Sequence, residues 1–274
     1  MAAATPSSIL RFENVNVSFE GSPVLTDISF EAVGGESRVI MGAAGSGKTV
    51  LLKTALGLVR PDSGKVFVFG KDLTTLRERE LFEVRSKVGM LFQESALFDS
   101  LSIEENVAYP LLNQRSMHYP KSQVHHRVEE ALEFVELEGT LEKFPSELSG
   151  GMRRRAAIAR AVVTNPPLVL YDSPTAGLDP ITAHTIIALI VKERDIDNTT
   201  TLMVTHRYQD GNLVANFRYN SKQGVLEAAR NGDRGEARTT FMVLREGRLV
   251  FEGDQDRLQA FPDPYVRKFV KQRE

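Results

Sequence analysis

An α/β fold with a mostly parallel core sheet is predicted by three features of the chain. Apolar runs of strand length, at 38–41, 88–92, 168–171 and 201–204, are separated by stretches of helical period. The first run leads through the glycine-rich stretch GAAGSGKT, Gly42 to Thr49, straight into the helical sequence Val50 to Leu56. The later runs end on polar side chains, Gln93, Asp172 and His206, as happens when a parallel sheet delivers groups to the edge where its strands finish.

Gly42 to Thr49 fits G-x-x-x-x-G-K-[ST], a concave row of backbone N–H groups at the positive end of a helix. Gly42, Gly45 and Gly47 let the backbone close around phosphates, and the candidate cradle runs through Ala43, Ala44, Ser46, Lys48, Thr49 and Val50. Lys48 is expected to reach the β- and γ-phosphates as a point charge, and the Thr49 hydroxyl to bind Mg²⁺. A glycine turn that merely contains Lys-Thr is the plainer reading; the flanking strand and helix argue against it.

With 274 residues and 42% hydrophobic content, the chain can bury a sizeable core. It has no cysteine, which excludes disulfides and thiolate metal sites and is compatible with a reducing cytosol. A net charge of −2 and a pI near 6.3 argue against a broad basic face for nucleic acid. Met1 to Ser8 lacks the regions of a signal peptide, and no run approaches the length of a membrane helix. The expectation is a soluble chain that reaches a membrane only through a partner.

Ile9 to Phe19 and Val24 to Phe30 read as an antiparallel hairpin around Gly21-Ser22-Pro23. Phe19, beside that turn, could stack on adenine or simply pack on the sheet. Leu58 to Gly64 is a helix stop and turn, Lys65 to Phe69 a strand, and Val88 to Phe92 a strand running into Gln93. From Ser102 to Asn165 the pattern is helical, over 103–112 and 122–137. His125 and His126 point about 100° apart on such a helix, which suits solvated surface better than chelation.

Leu148 to Met152 reads as a Ser-Gly-Gly turn opening a helix, where Ser149, Gly150 and Gly151 could form a second anion site or Ser149 a plain cap. Arg153, Arg154 and Arg155 are expected to be a solvated face by default, with phosphate or a partner as the alternative. Leu168 to Asp172 is a strand that ends in a metal-side carboxylate. Ala176 to Pro180, including Asp179, turns into a helix through Val191, and Thr201 to Thr205 is a strand ending at His206. Arg207 to Thr240 reads as a polar surface insertion with short helical fragments such as 225–230. Phe241 to Leu244 and Arg248 to Phe251 form a hairpin, followed by short helices at 254–261 and 263–271.

Taken together, these residues resemble the nucleotide-binding subunits of ABC transporters over nearly the whole chain. GAAGSGKT looks like the Walker A loop, Gln93 like the Q-loop residue and LSGGM, Leu148 to Met152, like the signature motif. LVLYD looks like Walker B, AGLDP (Ala176 to Pro180) like the D-loop, and His206 like the switch histidine. The resemblance implies an ABC ATPase fold in a single nucleotide-binding domain over 1–274. The RecA-like core with its antiparallel β-subdomain would span about 9–93 and 166–254. It would be joined by a helical signature subdomain at 94–165, the insertion at 207–240 and a helical tail at 255–274.

The same resemblance implies ATP and Mg²⁺ as ligands, with Thr49, Gln93 and Asp172 on the metal side. Lys48, Gln93, Asp172, His206 and the residue at 173 would carry the chemistry, and Phe19 would stack on adenine. It also implies that ATP lies between the Walker A loop of one copy and Ser149 to Gly151 of a second, with Asp179 nearby. The phrases MGAAGSGKTVLLK, ALFDSLSIEENV and LSGGMRRRAAIARA are similar to the ATPases of Mla- and Mce-type lipid transport systems. Such subunits sit on the cytoplasmic face of the inner membrane beneath permease subunits, with an Mce-domain substrate-binding protein beyond. The groove around Gln93 to Leu101 would receive the permease. A lipoprotein-release or small-solute system is the alternative within transporters.

One position departs from the family pattern: Ser173 stands where a glutamate polarises the attacking water. Serine is a poor base, and general-base contributions run at roughly 10²–10⁴-fold. Nucleotide binding should survive. Three readings stay open: hydrolysis through His206 and Gln93 helped by Glu94 or Asp179, a slow or partner-dependent ATPase, or an engineered substitution that traps ATP. A nucleotide-gated binding module with negligible hydrolysis is the second reading of function, and Ser173 is its main support. The segment 208–240 also looks longer than the family usually has.

Overall fold

The computed structural model describes residues 8–113, 119–229 and 239–270. The chain opens with two long strands, β1 (Ser8–Phe19) and β2 (Ser22–Val33). The link between them is Glu20 and Gly21, both at positive φ (50° and 80°), the twist that suits a two-residue hairpin turn. Phe19 pairs with Ser22 across it, so the turn lies one residue earlier than expected. There follow β3 (Ser37–Gly42), α1 (Lys48–Ala55), β4 (Ser63–Val68), the short β5 (Lys71–Asp72), α2 (Glu78–Arg85) and β6 (Val88–Leu91).

Three helices come next: α3 (Ile103–Asn113), α4 (Lys121–Phe134) and α5 (Gly150–Val162). Ile103, Val107 and Leu111, then Val124, Val128 and Ala131, then Ala157, Ile158 and Ala161 repeat at helical spacing and share one core. The chain returns through β7 (Leu168–Asp172), α6 (Pro180–Asp197), β8 (Thr200–Thr205) and α7 (Tyr208–Asn216). A small hairpin, β9 (Phe217–Asn220) and β10 (Val225–Ala228), precedes β11 (Thr239–Arg245), β12 (Arg248–Gly253), α8 (Gln255–Ala260) and α9 (Pro264–Val270).

Six strands form the main sheet in the order β12-β11-β3-β8-β7-β6, parallel except for the edge strand β12. A second, antiparallel sheet has the order β2-β1-β4-β5. Every residue of β3, β7 and β8 is buried, as expected of strands covered on both faces. The pleat divides their side chains between two cores. Val39, Met41, Val169, Tyr171 and Met203 join the helices α3 to α7 on one side. Ile40, Leu168, Leu170, Leu202 and Val204 face α1 and the antiparallel sheet on the other.

Three expectations are corrected. The helix after Pro180 passes Val191 and runs to Asp197, because Glu193 and Arg194 are also buried; Asn198, at φ 51°, ends it. The segment expected to be a surface insertion from Arg207 begins with a packed helix. Tyr208, Asp210, Gly211 and Val214 of α7 are buried, and a Cβ on Gly211 would lie 2.7 Å from the Phe241 ring and 3.0 Å from Val39. The fragment expected to be helical at 225–230 is instead the strand β10, paired with β9. Asn220 fixes that hairpin by accepting from the N–H groups of Lys222 (3.0 Å) and Gln223 (3.3 Å), and so short a piece cannot nucleate a helix alone. The rest of that insertion, 230–238, lies outside the described residues, as do 1–7 at the N-terminus and 271–274 of the tail.

One buried acid makes the fold sensitive to pH. Glu193, 3% exposed on α6, is pushed up to about 7 by burial and then by the charge of Asp197; the Thr199 hydroxyl at 3.3 Å and Lys192 oppose the shift. The folded chain therefore holds a proton that the unfolded chain releases between the ordinary value of 4.5 and about 7. Stability is fully present below that window and falls as pH rises through it, by at most about 3 kcal/mol. Urea unfolding at pH 5 and pH 8 is expected to show this loss, and Glu193→Gln to flatten it.

Candidate nucleotide-binding site

The register of the parallel strands assembles the site. Met41 pairs with Thr205, and Asp172 with Val204, so Gly42, His206 and Asp172 leave the sheet at one edge. The loop after β3 then folds back on itself. Gly47 caps α1 at φ 100°, where a side chain would be strained and its Cβ would lie 2.8 Å from the Val24 carbonyl. Ser46 N–H donates to the Ala43 carbonyl at 3.2 Å. Ala43, Ala44, Gly45 and Thr49 are exposed, Lys48 and Val50 half-buried, and Gly42, Ser46 and Gly47 buried.

Lys48 braces this loop. Its Nζ donates to the carbonyls of Gly42 (2.9 Å) and Ala43 (2.7 Å) and lies 3.4 Å from the Ser46 hydroxyl. Burial lowers the lysine's pKa, and the charge of Asp172 opposes that. Asp172 is 3% exposed. It accepts from the Ser173 hydroxyl at 3.2 Å, and Ser173 N–H donates to the Val204 carbonyl at 2.9 Å. Ser173 itself is left-handed, at φ 50°, a conformation that concentrates at functional sites. One carboxylate, Asp172, and the Thr49 hydroxyl form an all-oxygen set, with Gln93 on the neighbouring loop after β6. That set suits a hard ion that brings phosphates and waters of its own, so the residues fit Mg²⁺.

Arginines order the surrounding loops: Arg154 is buried and Arg155 half-buried, against the expectation of a solvated face, while Arg153 is exposed as expected. Arg154, 6% exposed, donates to the carbonyls of Phe92 (3.1 Å) and Gln93 and reaches that of Ala176 at 3.4 Å. It thereby ties the loop after β6 to the loop after β7. Burial lowers its pKa and the Asp172 charge opposes this. Arg153 donates to the Leu148 carbonyl (2.6 Å), and Arg155 to those of Val135 (3.0 Å) and Glu136 (2.9 Å). The signal was available: Arg154 shares the helical stripe of Ile158 and Ala161. Arg160 similarly holds the carbonyls of Ser95 (2.9 Å) and Ala96 (2.8 Å), two left-handed residues just past Gln93.

A further residue escaped the sequence reading. Asp210, 1% exposed at the start of α7, accepts from the hydroxyls of Thr175 (2.6 Å) and Thr205 (2.8 Å), with Arg207 Nε at 3.6 Å. Burial raises this carboxyl's pKa; the two hydroxyls, Arg207 and His206 act against it. It fastens the loop after Asp172 to the strand end that presents His206, which is exposed.

Other expected residues stand apart. Gln93 and Glu94 are exposed on the loop after β6. Phe19 is 47% exposed at the end of β1 and is not packed into the sheet. Ser149 caps α5 by accepting from Met152 N–H at 3.2 Å, and a Cβ on Gly151 would come within 2.6 Å of Thr182 on α6. Among the described residues no hydrogen bond joins Ser149, Gly150 or Gly151 to the loop from Gly42 to Thr49. Asp179 caps α6, accepting from Ile181 N–H (3.0 Å), Thr182 N–H (3.0 Å) and the Thr182 hydroxyl (2.5 Å). Those bonds hold its pKa below the usual carboxylate range. His125 and His126 are exposed and face Glu104, Glu129 and Glu130.

Comparison with known proteins gives one answer on family. The family model described as ABC transporter matches residues 25–176. The intermembrane phospholipid transport system ATP-binding protein MlaF of Haemophilus influenzae is 39% identical over 258 residues, 93% of this chain and 88% of that protein. The probable ribonucleotide transport ATP-binding protein mkl of Mycobacterium leprae is 38% identical over 264 residues, 96% of this chain and 69% of that protein. Among solved structures, the dimeric post-hydrolysis state of the ATP-binding cassette MJ0796, bound to ADP and Pi, superposes with a TM-score of 0.73. It is 28% identical and covers 89% of this chain and 98% of its own. With its phosphate loop, terminal Asp172 and capped Ser-Gly-Gly turn in these places, the chain belongs to the ABC transporter family, as an ATPase that works on ATP with Mg²⁺.

Proposed function

We propose that this chain is the motor subunit of a lipid transporter, closing with a second copy on ATP and opening after hydrolysis. One observation carries the reading: Lys48, Asp172 and His206 share a sheet edge, while Ser149 to Gly151, with Gly151 against Thr182 of α6, make no hydrogen bond to that loop among the described residues. A site divided in this way calls for a partner copy to supply the second half. Lys48 exchanges its carbonyl contacts for the β- and γ-phosphates, Phe19 stacks on the base, and Asp172 and Thr49 orient the metal-side oxygens. Bound Mg²⁺ would neutralise charge on the phosphates during transfer. Gln93 and His206 face the γ-phosphate side from the loops that Arg154 and Asp210 fasten.

Lipid is the favoured cargo. The relative matched over more of its own length, 88% against 69%, is named for phospholipid transport, and the phrase ALFDSLSIEENV points the same way. The mycobacterial relative is named for ribonucleotide transport, and lipoprotein release or a small solute remains the alternative. Among the described residues no helix is long and apolar enough to cross a membrane. Contact with the bilayer would run through permease subunits at the cytoplasmic face of the inner membrane, with an Mce-domain protein beyond them. A groove lined by Arg85, Phe92, Ala96, Phe98, Tyr109 and Arg160 is the proposed seat. Its Phe98 and Tyr109 rings are 4.8 Å apart and 43% and 42% exposed. No nucleic-acid partner is proposed.

Ser173 supports a second reading, a nucleotide-gated module with little hydrolysis. Its hydroxyl is engaged with Asp172, Asp179 and Asp210 hold hydrogen bonds of their own, and Glu94 is exposed on the loop after β6. We favour slow but real turnover. Measured with the permease present, native turnover should exceed that of Lys48→Ala, and Ser173→Glu should raise it at least tenfold and by up to the roughly 10²–10⁴-fold of a positioned base. An unchanged Ser173→Glu rate would place the handling of water elsewhere. Native turnover no higher than Lys48→Ala, with Ser173→Glu active, would establish the gated module. Mixing Ser149→Ala with Lys48→Ala chains is expected to restore part of the activity neither shows alone, since one mixed site in each heterodimer is intact.

A further inference from the structure

Beyond the reading of Gly42 to Thr49 as a phosphate cradle, on which this rests, we propose that Tyr265 is a positioning residue for that loop. The Tyr265 hydroxyl accepts from Ala43 N–H at 3.0 Å and donates to the Leu244 carbonyl at 3.0 Å. A phenol has one proton and two lone pairs, so both contacts are made at once. The hydroxyl thereby bridges the loop after β3 and the end of β11, two neighbouring strands of the main sheet. Residues 25–176 are the part matched by the family model; Tyr265 lies in α9, far beyond it in the chain.

The ring is set from several sides. Phe269 packs edge-on at 5.2 Å, and the Arg245 guanidinium lies 5.5 Å from the ring centre. Asp263 accepts from Tyr265 N–H at 2.7 Å and pairs with Arg245 at 3.2 Å. The reason for such a support lies in Lys48. The Ala43 carbonyl is held by Lys48 Nζ and by Ser46 N–H, and the lysine must leave it to reach phosphates. Ala43 is exposed, and its N–H donates to the Tyr265 hydroxyl. Tyr265 keeps the Ala43 N–H in place through that exchange, so the loop is ordered before nucleotide arrives and affinity rises accordingly.

Equilibrium titration of the full chain with Mg²⁺-ATP tests this. Tyr265→Phe keeps the ring and removes the bridge. It should weaken binding roughly three- to tenfold, the worth of a net hydrogen bond, with the thermal midpoint nearly unchanged, KM raised and kcat intact. Phe269→Leu, which loosens α9 and leaves the hydroxyl, should lower the midpoint with affinity near native. Native affinity in Tyr265→Phe, or equal weakening by both variants, would overturn the assignment. Lys48→Ala separates the two levels: if it abolishes binding while Tyr265→Phe changes nothing, only this inference fails. If Lys48→Ala binds as the native chain does, the cradle itself is refuted.

Discussion

The candidate site depends on strand register. β3, β8 and β7 are aligned so that a glycine loop, a histidine and an aspartate emerge side by side, and side chains alternate at each step between two cores. A slip of one residue would turn Asp172 to the opposite face and put Tyr171 at the wrong core. The continuous burial of these strands prevents it: each face is matched to its own helices or sheet, so no shifted pairing keeps both cores filled. Packing far from the phosphates therefore fixes the chemistry's geometry.

Irregular backbone around the edge is held by charge. Loops that leave a parallel sheet carry carbonyls with no ladder partner, and leaving them buried and unpaired is unfavourable. Arg154 and Arg160 answer this with guanidinium donors, and Asp210 does the reverse for two hydroxyls. Each of these links joins separate segments, so the loops after β6, β7 and β8 are cross-braced. An arginine suits the task because its planar fork reaches two carbonyls from one stem.

Much of this was legible in the sequence. The hairpin at the start, the parallel strands, the phosphate loop and the three helices before β7 follow from apolar period and glycine placement, which are local signals. Arg154 and Asp210 were harder, since a charged side chain reads as surface unless its helical stripe is traced; Ile158 and Ala161, and Val214, mark those stripes. The polar stretch after His206 hid α7 because only a few inward positions, Gly211 among them, bind it to the sheet. Tyr265 could not have been found locally: its partners, Ala43 and Leu244, are close only in the fold.

The two helix starts that meet at Gly151 and Thr182 differ in charge. Each helix N-terminus carries a partial positive charge. At α6, Asp179 sits on that pole and neutralises it with its own carboxylate. At α5, the cap is the neutral Ser149 and the first turn holds no acid. Of two adjacent poles, only one is left uncompensated. The positive pole of α5 therefore has no carboxylate of its own in the first turn, and a single acidic substitution among Gly150, Gly151 and Met152 would erase the distinction.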